Sequence, residues 1–254
     1  MLLLPAALLG KDLKTIEREL VRDARRITYW ANYNDTAAAV GGIDSLTRAN
    51  ERFLARLLRY TATEPATLTY AFPALQQEHI TISTAPDGRL RIYSWDTEEG
   101  GTMHYFENVV QYRAGAKVAS RRLITPKPDD NPDAGHFYFD VFPVLSGTQT
   151  YYLAYGQGIY SSKDCYQHVK AFAIENGQLN TDAKLIRTQS GLKNTLGFEF
   201  DFFSVVDRPE RPVRLITYDA KTRVLEIPVV WAEGKVTPKR IRYQFNGTVF
   251  EKVK

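Results

Sequence analysis

Four residues stand closest to a reaction centre in this sequence: Asp96, Glu98, Glu99 and His104, spread along Asp96-Thr97-Glu98-Glu99-Gly100-Gly101-Thr102-Met103-His104 with Glu107 just beyond. Paired carboxylates beside a histidine are the ingredients of general acid–base catalysis, glycoside hydrolysis included. Arg91, Tyr93 and Trp95 precede them at alternating positions. If those three face away from the core, the two aromatic rings can stack on a sugar and Arg91 can bind a polar group beside it. A solvated connection around a Gly-Gly pair carries acids of this kind, and a plain loop with incidental charge is the favoured reading.

The other constellations are poorer. Asp129, Asn131, Asp133 and Asp140 imitate the oxygen spacing of a calcium loop, but Pro132 interrupts it and its glycine falls one place late, at 135. A Pro/Asp turn explains them as well, and no metal is expected. Ser190 and Lys193 match a Ser-x-x-Lys pattern without its companion motifs. Gly156-Gln157-Gly158 is a fragment of a phosphate loop with no following helix signal. Cys165 and His168 stand three apart, which on one strand puts them on opposite faces. His79 and His136 have no ligand-spaced partners. No cofactor motif emerges.

The totals narrow the classes. Residues 1–60 carry 10 Lys and Arg against 7 Asp and Glu, and the remaining chain is nearly balanced within a net charge of +4. The β-rich part therefore has no phosphate-binding surplus, and nucleic acid is not expected as a partner. One cysteine excludes an internal disulfide and a cysteine-based zinc site. Residues 1–10 (MLLLPAALLG) are almost wholly apolar, too few to span a bilayer. They read as the tail of an export signal or, alternatively, as an apolar segment packed on the domain.

Two helices must follow within residues 11–60. Leu13, Ile16, Leu20, Ala24 and Ile27 recur at helical steps. Gly41-Gly42 marks a break, and Asp44 or Ser45 can cap a second helix carrying Leu46, Ala49, Phe53, Leu57 and Tyr60. Arginines 18, 22, 25, 26, 48, 52, 56 and 59 line the other faces, with Glu17, Glu19, Asp23 and Glu51 among them as partners. Residues 61–75, with two prolines, read as the passage from helix to sheet.

From there to residue 254 helical periodicity gives way to aromatic and β-branched runs separated by Asp87-Gly88, Asn176-Gly177, Glu233-Gly234 and Asn246-Gly247. These dipeptides supply the positive backbone angles of tight hairpins. A three-residue loop at Pro86-Asp87-Gly88 pairs Ile82 with Ile92 and leaves Tyr93 and Trp95 on the opposite face, whereas a two-residue loop puts Ile80 and Ile82 with Tyr93 and Trp95. A two-residue Asn246-Gly247 turn pairs Tyr243 with Phe250 and Arg242 with Glu251. Phe198, Phe200 and Phe202 alternate with acids as in a half-buried strand. Pro228 marks an edge or a bulge. The fold class is α+β, mainly β: an N-terminal helical pair, then an antiparallel β-meander over 61–254, propeller-like or sandwich-like.

Arg91-Ile92-Tyr93-Ser94-Trp95-Asp96, with Gly100-Gly101-Thr102 and Tyr105-Phe106 after it, resembles a segment of exported bacterial envelope proteins of unknown function. The resemblance covers about residues 70–112. It implies a periplasmic or secreted location and carries no activity with it. The sequence thus favours a non-enzymatic envelope or secreted module that binds a protein or glycan partner. The alternatives are a glycan-directed hydrolase using the cluster near residues 96–107, and a structural partner docking through its helices.

Overall fold

A computed structural model describes residues 11–33, 39–123 and 134–253. Residues 1–10 and the calcium-like Asp129, Asn131 and Asp133 lie outside the described residues. Helix α1 (Leu13–Ala31) starts where the Asp12 carboxylate accepts from Thr15 N at 3.2 Å. Ile16, Leu20, Ala24 and Ile27 are buried along one face, as the spacing requires. Helix α2 (Ala39–Thr63) runs straight through Gly41-Gly42, where a break was expected. Each glycine costs a helix roughly 1 kcal/mol. Burying Leu46, Ala49, Phe53, Leu57 and Tyr60 against α1 and the sheet below outweighs that, at about 1.5–3 kcal/mol per large apolar side chain.

The arginine stripes are tied to acids. Asp23 is fully buried and ion-paired with Arg52 Nε at 3.2 Å and Arg56 Nε at 3.0 Å, which joins the two helices. Glu19 meets Lys11 and Tyr60, whose hydrogen bonds hold its carboxyl down at about 2. Buried Glu17 accepts from Tyr70 Oη at 2.9 Å and from Ala74 N at 2.8 Å, capping a one-turn helix α3 (Pro73–Gln76). The 61–75 passage is therefore ordered by short helical turns.

Fifteen strands follow among the described residues. β1 (Thr81–Thr84), β2 (Leu90–Asp96), β3 (Phe106–Ala114) and β4 (Lys117–Arg122) form an antiparallel meander. β5 (Phe137–Ser146), β6 (Gln149–Ile159), β7 (Asp164–Glu175) and short β8 (Gln178–Asn180) start a second sheet. β9 (Ile186–Thr188) and β10 (Gly191–Lys193) leave for a third, and β11 (Thr195–Asp201) returns to pair with β7. β12 (Thr217–Asp219), β13 (Val224–Val230), β14 (Val236–Phe245) and β15 (Phe250–Lys252) complete the third sheet. Among the described residues all pairings are antiparallel except β15 with β9, and the meander is interrupted there and where β11 pairs with β7.

The layers stack. The helices pack on one face of the first sheet through Phe53, Tyr93, Trp95 and Val109. Its other face meets the second sheet through Leu90, Ile92, Tyr138, Tyr152 and Phe172. The second sheet meets the third through Leu153, Tyr155, Val169, Leu225 and Phe250. No sheet closes into a barrel. The α+β, mainly β expectation holds, with sheets layered face to face.

Side-chain hydroxyls fasten the first two sheets together. A bulge in β5 puts Phe139 between the paired residues Tyr138 and Asp140. Tyr138 N donates to Ser94 Oγ and Tyr138 O accepts from Ser83 Oγ, both at 2.9 Å. The small serines let β5 approach and satisfy the backbone groups of an edge strand that would otherwise be buried unpaired.

Hairpin chemistry behaves as its residues require, with shifted registers. Asn176 and Gly177 both take positive φ, 51° and 76°, in a two-residue turn closed by Glu175 and Gln178. The first hairpin closes instead at Ala85 and Leu90 around a four-residue loop, and Ile82 faces Tyr93. The last one turns on Gly247-Thr248, pairing Phe245 with Phe250 and Tyr243 with Lys252. The charge pair expected between Arg242 and Glu251 is split. Arg242 meets Glu226 at 3.0 Å and Glu251 meets Arg187 at 3.1 Å. Pro228 sits at a bulge.

Candidate functional site

The loop after β2 is built by its own polar groups. Thr97 N donates to Tyr105 O at 2.8 Å, closing the loop, and His104 N donates to Ile159 O at 3.0 Å, anchoring it on β6. Asp96 Oδ1 accepts from Glu98 N at 2.9 Å, and Asp96 Oδ2 contacts His104 Nδ1. The His104 ring lies parallel to Phe106, with centroids 6.1 Å apart. A carboxylate held against Nδ1 fixes the orientation of the imidazole, the positioning contact of an acid–histidine pair.

Glu98 is exposed beside this pair. Partial desolvation first, and the Asp96 charge second, hold its carboxyl above the usual range. Glu98 and His79 both adopt the left-handed region, φ 59° and 62°, and both line one crevice with Trp95 and Asp96. Such backbone costs on the order of 1–3 kcal/mol per residue. The crevice encloses about 40 Å³, room for a few waters and no sugar ring. Glu99 turns away to accept from Thr47 Oγ1 at 2.7 Å, and Glu107 is held by Arg122 Nε at 2.7 Å. Asp96, Glu98 and His104 therefore converge, and Glu99 and Glu107 do not join them.

Arg91, Tyr93 and Trp95 lie under the helices, contrary to the expected outward face. They are 4%, 0% and 2% exposed. Leu90 and Ile92 turn to the second sheet, so the alternate face of β2 falls under the helices, and the hairpin register, one residue from the expected one, brings Ile82 onto that face as well. Trp95 Nε1 donates to Asn50 Oδ1 at 3.1 Å, and its ring meets Phe53 edge-on at 4.9 Å. Tyr93 Oη donates to Thr67 O at 2.9 Å, and burial pushes its hydroxyl up to about 12. Neither ring offers a surface to a sugar.

Trp95 borders only the small crevice, whereas Arg91 reaches a larger opening. A groove of about 450 Å³ runs between the 65–76 segment and β1, lined by Thr69, Ala71, Gln76, Ile82, Thr84 and Arg91 among others. Sequence reasoning treated the 65–76 side as a linker. The unused signal was Thr67-Leu68-Thr69, a polar–apolar alternation bracketed by Pro65 and Pro73.

The remaining candidates have structural places. Asp140 is paired with Arg214. Cys165 packs with Phe200 and Val205, and burial, with Asp164 and Asp201 behind it, pushes its thiol up to about 11, which makes it inert. His168 projects from the opposite face of β7 against His136 and Tyr138. A side chain at Gly156 or Gly197 would collide with the His168–Tyr166 pair, so both strands need glycine there. Among the described residues, no three His, Cys, Asp or Glu side chains are placed to hold a metal ion.

Burial pushes His168 well below its usual pKa, with His136 and Lys170 adding to the effect. The folded chain thus refuses a proton that the unfolded chain binds below about 6.5. Stability conferred by neutral His168 is complete above that pH and falls by about 1.4 kcal/mol per unit below it, until the folded pKa is reached. Urea titrations at pH 7.5, 6.5 and 5.5 measure this, and His168→Gln should flatten the slope over the same range. A slope unchanged by the substitution would assign it to other groups.

No known protein family matches this chain, and no curated protein matches it in sequence. None of the described helices is long and apolar enough to cross a membrane.

Proposed function

We propose that this chain is a non-enzymatic binding module of the cell envelope or of the secreted fraction, engaging a partner through its first β-sheet. One observation carries the reading. The acid–histidine crevice has room for a few waters, whereas the groove beside β1 has about 450 Å³, within the size of ligand clefts. The apolar residues 1–10 and the resemblance of residues 70–112 to exported envelope proteins support the location.

Thermal unfolding against a panel of peptides and oligosaccharides tests it. A ligand at 100 times its Kd stabilises by about 2.7 kcal/mol, a midpoint shift of roughly 5–10 °C for a chain of this size. A panel with no shift and no retained protein in a pull-down would defeat the binding reading.

The hydrolase reading retains one specific support, the convergence of Asp96, Glu98 and His104, with Glu98 in left-handed backbone. Its test is Asp96→Asn combined with Glu98→Gln. Loss of a detected glycan hydrolysis by about 100-fold or more fits acid–base roles, and unchanged turnover removes them.

A further inference from the structure

We propose that the groove beside β1 receives an extended peptide ending in a free carboxylate, with the Arg91 guanidinium as the carboxylate receptor. This rests on the binding-module reading and names its ligand class.

The first support is a buried charge without a counter-charge. Arg91 is 4% exposed, yet none of its neighbours among the described residues is a paired carboxylate. Nε donates to Thr84 Oγ1 at 2.7 Å, and Nη1 donates to Thr67 O at 2.7 Å and Tyr70 O at 2.6 Å. These neutral acceptors hold the side chain in one position without cancelling its charge. Nη2 keeps both protons without a protein acceptor among the described residues, and Arg91 lines the groove. The guanidinium, 5.7 Å from the Tyr93 ring centroid, is held in one orientation at the groove, and its planar fork matches a carboxylate.

The second support is the strand beside it. Among the described residues β1 pairs only with β2. Ala85 N donates to Leu90 O at 2.8 Å, which fixes the alternation of the ladder. Thr81 and Ser83 then turn their backbone groups toward β2, and Ile82 and Thr84 turn theirs outward. Ile82 and Thr84 form the groove wall. An unpaired edge is the template for strand addition, with main-chain hydrogen bonds giving affinity and a terminal charge fixing register. β1 spans only Thr81–Thr84, so pairing reaches the last two or three residues of the peptide. Thr69 and Gln76 supply polar groups on the facing wall, and Ala71 an apolar one.

The two features meet in one place, which separates this groove from an ordinary edge. A phosphate or an internal acidic side chain could meet the guanidinium, but neither needs the adjacent strand edge. A peptide terminus uses both.

The experiment retains two acetylated pentapeptide libraries on the immobilised full chain, one with free C-terminal carboxylates and its C-terminally amidated twin, with detection by mass spectrometry. The free-acid library should be retained about tenfold or more over the amide, the value of a charged hydrogen bond. Thr69→Glu places a carboxylate in the groove from an exposed position and should abolish that preference while leaving the unfolding midpoint in place. Arg91→Lys keeps the charge, removes the fork, and should reduce retention of the free acids about tenfold. Equal retention of both libraries, unaffected by Thr69→Glu, overturns the carboxylate site and leaves a binding module acting elsewhere. Retention of neither library overturns this inference, and a wider panel without ligands then overturns the module reading separately. Preference for phosphorylated peptides with amidated ends overturns the terminal-carboxylate assignment.

Discussion

Trp95→Ala should lower stability by about 4 kcal/mol, a fall in unfolding midpoint of roughly 8–16 °C. The side chain is 2% exposed and packs edge-on against Phe53 of α2. Removing it leaves a cavity between the helices and the first sheet that rigid neighbours fill only in part. It also orphans Asn50 Oδ1, which accepts from Trp95 Nε1. Asn50 Nδ2 donates in turn to Thr97 O at 2.8 Å, so the same loss loosens the start of the Asp96–His104 loop. Trp95→Phe should cost less, because it retains most of the volume and loses the indole donor. Chemical denaturation of the full chain measures both. A midpoint change below about 3 °C for the alanine variant would mean that the helices contribute little to the core.

Gln167→Leu should cost on the order of 4 kcal/mol for a different reason. Gln167 is fully buried in β7 and its amide clamps an irregular segment onto the second sheet. Its Oε1 accepts from Leu215 N at 2.9 Å and Ile216 N at 3.0 Å, and its Nε2 donates to Val213 O at 2.8 Å. Leucine matches the volume and leaves three buried backbone groups unpaired, each worth roughly 1–3 kcal/mol. Amide hydrogen exchange offers a local readout. Leu215 and Ile216 should lose protection before the rest of the third sheet, although Leu215 O keeps its bond from Arg240 Nη1 at 3.1 Å. Unchanged protection at those two amides would show that apolar packing alone holds the segment.

The two variants probe different joints of one stack. Trp95 belongs to the helix–sheet core and Gln167 to the join between the second and third sheets. Their effects should therefore add in the double variant to within about 0.5 kcal/mol, as for sites without shared partners.

Local pattern by itself determined which segments are helix and which are strand, and which helix faces turn inward. Ile16 through Ile27 and Leu46 through Tyr60 lie where their spacing puts them, because a 3.6-residue period leaves one choice of buried stripe. The hairpins occur at the glycine dipeptides, and Pro228 sits at a bulge, because φ and the missing N–H are properties of the residue. Only the tertiary structure decided the registers. In Leu90–Asp96 both faces are apolar enough to be buried, so alternation could not choose between them. The layers packed on either side settled it, with Leu90 and Ile92 turned to the second sheet and Tyr93 and Trp95 under the helices. The Asp96–His104 contact and the groove at Arg91 are likewise tertiary. Each joins segments whose approach depends on how the layers stack, and no local period encodes that distance.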